Sequence, residues 1–87
     1  MNINYEFVKR AIAGENFLVP IGEAAKQYSG LFALNELGAF LWDKIPAAKD
    51  EEDLLRCVLE EYEVSPDEAR ADIAEFLAKL RQWQIIE

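Results

Sequence analysis

The chain has 87 residues, 52% of them hydrophobic, and a net charge of −8. That composition is too apolar for a disordered chain, and the length fits one domain with one small core, expected over residues 1–87. A single cysteine, Cys57, and no histidine exclude a disulfide framework within the chain and the usual zinc ligand sets.

The first third reads as strands and turns. A first strand is expected from Tyr5 towards Ala13, with turn chemistry at Ala13, Gly14, Glu15 and Asn16. A second run, Phe17 to Ile21, is closed by Gly22, and the two runs predict a hairpin. Pro20 has no amide hydrogen, so it must stand at an edge, an end or an irregularity of its strand. Glu23 to Gly30 is a connecting segment in which Glu23 to Lys26 allows a helical turn. The short apolar run Leu31, Phe32, Ala33 and Leu34 predicts a third strand. It passes directly into a helix through Asn35, a residue suited to the N-cap.

The remainder is helical. A first helix is predicted from about Glu36 to Ile45, ending at Pro46. A second starts near Asp50, with Asp53 three residues on as a capping-box pattern, and carries the stripe Leu54, Leu55, Val58, Leu59 and Tyr62. The third has Ser65 as N-cap, Pro66 at the first helical position and Glu68 to complete a capping box. Its stripe is Ala69, Ile73, Phe76, Leu77, Leu80 and Trp83. Val64 and Ala69 can form a hydrophobic staple at its start. The expected class is α+β: a small winged helix-turn-helix-like domain in which a three-stranded antiparallel sheet is followed by three helices.

Catalysis finds no support. The four glycines are scattered, so no phosphate loop is present, and neither serine has a histidine to act as base. Cys57 likewise lacks a histidine to activate it and falls off the stripe of its helix. The carboxylates at 50–53 and 60–61 sit at capping or solvated positions with nothing to separate their pKa values. No catalytic residue, metal or cofactor is assigned. No apolar run reaches the length of a membrane span and the first residues lack the pattern of a signal peptide, so a cytoplasmic protein without membrane attachment is expected.

Two binding readings compete. Residues 1–49 carry five basic and five acidic side chains; residues 50–87 carry four and twelve, so the whole −8 lies there. A winged-helix DNA-binding regulator would present Pro66, Asp67, Glu68 and Asp72 to the groove, where acidic side chains meet phosphates. Nucleic acid is therefore not expected as a partner. The other reading is peptide capture by strand addition at Leu31, Phe32, Ala33 and Leu34. One flank of the third helix, Arg70, Ala74 and Arg81 with Leu77 at its border, would then rim and floor a groove for an amphipathic, acidic peptide. Ordinary solubilising arginines account for the same pattern.

The chain also resembles the PqqD family of precursor-peptide recognition elements. The resemblance rests on Val8-Lys9-Arg10, Phe17-Leu18-Val19-Pro20, Gly30, Leu34-Asn35-Glu36 and Ala39-Phe40-Leu41-Trp42. It continues through Asp53-Leu54-Leu55, Glu61-Tyr62-Glu63-Val64, Asp72-Ile73, Phe76-Leu77, Leu80 and Ile85-Ile86. It implies a winged-helix-like fold that performs no chemistry itself. A leader peptide would bind as an added strand against Leu31 to Leu34 and beside the Arg70, Ala74, Leu77, Arg81 flank. It further implies delivery to a modifying enzyme, often a radical S-adenosylmethionine protein, expected here as a separate chain. An edge strand that accepts a peptide can also accept its own copy, which leaves a homodimer open.

Overall fold

The computed structural model of the chain describes residues 1–4 and 6–87; Tyr5, the expected start of the first strand, lies outside the described residues. Strands β1 (Phe7–Ile12) and β2 (Glu15–Pro20) form an antiparallel hairpin in which Ile12 pairs with Glu15. Only Ala13 and Gly14 remain for the turn, with φ of 53° and 82°. Two consecutive residues with positive φ mark the turn whose twist matches that of the flanking strands, and glycine adopts the second without steric cost. The turn is thus tighter than the sequence implied, and Glu15 and Asn16 belong to β2. Pro20 is the last residue of its strand, where a missing amide costs least.

A short helix, α1 (Gly22–Gln27), follows β2 and precedes β3 (Phe32–Leu34). The helices therefore do not all follow the sheet; the helical turn allowed at Glu23 to Lys26 is a fourth helix set between its strands. β3 pairs antiparallel with β2 through Asn16–Leu34, Phe17–Ala33 and Leu18–Phe32, giving the order β1-β2-β3. Helix α2 (Glu36–Lys44) runs into a turn of 3₁₀ helix at Ile45–Ala47, where Pro46 ends the α-helical hydrogen bonding. Helices α3 (Glu51–Glu61) and α4 (Pro66–Gln82) complete the fold. The N-terminal segment returns to the C-terminal one through an Ile3–Ile86 bridge and a bond from the Asn4 amide to the Ile85 carbonyl.

Local chemistry starts each of the three longer helices. The Asn35 side chain accepts from the Gly38 amide at 2.7 Å, Asp50 from the Asp53 amide at 3.0 Å, and Ser65 from the Glu68 amide at 3.1 Å. Each satisfies one amide that the first helical turn leaves without a partner. At α3 the reciprocal contact is displaced by one residue, since Asp53 accepts from the Lys49 amide. Ser65→Ala should therefore cost about 0.5–2 kcal/mol of stability in urea denaturation. A loss below that range would mean that Pro66 and the acidic first turn start α4 without the hydroxyl.

One core joins sheet and helices. Leu18 of β2, Leu41 of α2, Leu54 of α3, and Ile73, Leu77 and Leu80 of α4 are almost wholly removed from water, as is Ile45. Among the described residues no polar or charged residue is buried, so the core needs no internal polar partners. The α4 stripe predicted by periodicity is the one that packs inward, with Phe76 and Trp83 half-buried at its margin.

Candidate functional site

β2 occupies the middle of the sheet, so among the described residues β3 is paired on one side only. Unpaired strand edges present backbone donors and acceptors in a row. Along β3 the side chains alternate as a half-buried strand requires: Phe32 and Leu34 face the core and Ala33 faces out. Leu31 lies outside the strand and is 45% exposed. The reason is register, since pairing with β2 ends at Leu18–Phe32 and leaves Leu31 without a partner.

The region beside β3 is an open groove of about 390 Å³. β3 with Asn35 forms one wall, Leu37, Gly38 and Leu41 of α2 lie at its base, and Asp72, Glu75, Phe76 and Lys79 of α4 close the other side. Two contacts set the spacing. The Trp83 ring at the end of α4 meets Phe32 edge-on with centroids 5.2 Å apart, and stacks on Tyr28 at 5.5 Å. Such pairs add to simple area burial and fix orientation, so they hold β3 against α4. At Gly38, a Cβ would stand only 3.2 Å from both the Phe76 ring and the Asn35 side-chain oxygen. Glycine there leaves room for the Phe76 ring of α4 against α2 while its amide bonds the Asn35 cap.

The groove is acidic at its rim. Lys79 is taken up by Glu75, with 3.2 Å between charged atoms. Asp72 has no ion-pair partner among the described residues. Among those residues also, no group of three or more histidine, cysteine or acidic side chains is placed to hold a metal ion. No helix of the described residues is long and apolar enough to cross a membrane.

The flank chosen from sequence lies elsewhere. At about 100° per residue, Arg81 stands roughly 180° round α4 from Asp72, and Arg70 and Ala74 lie on the same side as Arg81. Arg70 turns to α3, where both its terminal nitrogens bond the carboxylate of Glu52. That bond holds the Glu52 carboxyl below its ordinary pKa and raises the guanidinium. Arg81 donates from Nε to the carbonyl oxygen of Glu87 at 3.0 Å. Ala74 is exposed, and Leu77 is fully buried; neither borders the groove beside β3. Arg70, Ala74, Leu77 and Arg81 do not share a groove with β3. Helical spacing made both flanks equally available, and only the packing of α4 on α2 and the sheet turned the Asp72–Glu75–Lys79 flank towards β3. Periodicity alone does not assign Phe76, Leu37 and Gly38 to the site. The signal that could have found them was an aromatic at the margin of the α4 stripe opposite a glycine within a helix.

Fold and site together define a small α+β domain in which a sheet edge lies open beside a helix. The chain belongs to the PqqD family: the family model for coenzyme PQQ synthesis protein D matches residues 17–86. A solved structure, TbiB1 in complex with the TbiA(beta) leader peptide, has the same fold. It superposes with a TM-score of 0.77 at 23% identity, covering 100% of this chain and 95% of TbiB1. Among curated proteins no sequence matches the chain significantly.

Proposed function

We propose that this protein is a non-catalytic recognition element that captures a precursor leader peptide as an added strand on β3 and presents it to a modifying enzyme. The observation that carries this reading is the free edge of β3 opening directly onto a groove walled by α4 and based on α2. Backbone pairing gives affinity with little sequence preference, and the adjoining helix reads side chains. Membership of the PqqD family supports it, as does the leader peptide bound by TbiB1, which shares the fold. The enzyme partner is proposed to be of the radical S-adenosylmethionine class, and the protein to act in the cytoplasm. The N-terminal turn of α4 carries Asp67 and Glu68, which would meet nucleic-acid phosphates with repulsion.

The test is amide shift mapping on isotope-labelled protein titrated with a cognate leader peptide. The largest shifts should fall at residues 32–36 and along 72–79, with hydrogen exchange slowed in β3. A map centred on α3 around Arg56, with β3 unmoved, would rule out strand addition.

A further inference from the structure

A second cleft adjoins the groove at the start of α2. Leu37 and Asp72 border both the groove and this cleft, which lies between α2, α3 and α4. There Leu37, Val58, Tyr62 and Val64 supply apolar walls, while Glu36 and Asp72 supply carboxylates. The cleft encloses about 180 Å³. That is room for one side chain, well below the roughly 300–1,000 Å³ of sites for whole small molecules. Val64 is 37% exposed although apolar, and Tyr62 is half-buried, so part of this lining has no cover among the described residues.

Charge indicates the occupant. Neither Glu36 nor Asp72 enters an ion pair among the described residues. Among the described residues, the one cation bordering the adjoining groove, Lys79, is bonded to Glu75. Resting on the strand-addition reading, we infer that this cleft is a side-chain subsite of the groove that takes a lysine or arginine of the leader. The aliphatic stem would lie on Leu37, Tyr62 and Val64, and the cationic head would reach Glu36 and Asp72. Long cationic side chains combine these two demands, since the stem prefers apolar contact and the head prefers charge and water. The Tyr62 hydroxyl has its pKa raised, first by burial and then by the negative charges of Glu36 and Glu61, which fits a site already rich in negative potential. The acidic leader expected from Arg70 and Arg81 is thereby replaced by one with a basic residue at a fixed place.

The experiment selects peptides from a displayed library of random extended sequences on the purified full chain, and in parallel on Glu36→Gln with Asp72→Asn. Both residues are exposed, so the double variant should fold as the parent does. Peptides enriched on the parent should share a lysine or arginine at one distance from an apolar segment, and that preference should vanish on the variant. Replacing that lysine by norleucine, which keeps the stem, should weaken binding to the parent about fivefold and leave binding to the variant unchanged. Enriched peptides without a basic position, or a basic preference that survives in the variant, overturn the subsite and leave strand addition standing. Failure to enrich any peptide over a scrambled control overturns strand addition and the subsite together.

Discussion

Phe76→Ala is expected to weaken leader binding by about thirtyfold, close to 2 kcal/mol, whereas Ala74→Trp should leave it unchanged. Phe76 is the largest apolar side chain that α4 presents to the groove, and it stands half-buried against Gly38. Aromatic anchors of this kind carry a large share of the energy at peptide and protein interfaces, because they remove much apolar area from water with few rotatable bonds. Ala74 lies on the opposite flank and is exposed, so a bulky ring there meets solvent. Isothermal titration of the two variants with the same leader, at a temperature where both are folded, separates the alternatives. Loss of binding in Ala74→Trp with retention in Phe76→Ala would place the peptide on the Arg70–Arg81 flank. Phe76→Leu, which keeps most of the apolar bulk, guards against a fold defect and should bind within a few-fold of the parent.

Leu77→Ala is expected to cost about 2–5 kcal/mol, with a fall in melting temperature of about 10 °C or more. Leu77 is fully buried between sheet and helices, so its truncation leaves a cavity that neighbours fill only in part. A domain of this size has only about 5–15 kcal/mol of net stability, so the variant would approach its unfolding threshold near body temperature. Thermal and urea unfolding measure this directly. A cost below about 1 kcal/mol would mean that Leu77 is not the packed core residue its burial indicates. Binding by the folded fraction should be retained, since Leu77 does not border the groove.

Much of the fold is determined locally and is therefore legible in the sequence. The helix starts at Asn35, Asp50 and Ser65 are written in residues that bond amides three positions ahead, and no distant part of the chain is needed to form those bonds. The inward stripe of α4 follows from apolar spacing, because a helix must bury its one apolar face. The third strand is legible too, although its first residue depends on the register with β2, a partner more than ten positions away in sequence. What only the tertiary structure decided is which flank of α4 faces that strand. Periodicity fixes angles about the helix axis and says nothing of the rotation of that axis relative to the sheet. That rotation is set by contacts between distant residues, Trp83 on Phe32 and Phe76 against Gly38. It turns an acidic flank towards the open edge and sends Arg70 to Glu52, so the charge of the groove is opposite in sign to the one that composition along the helix had made attractive.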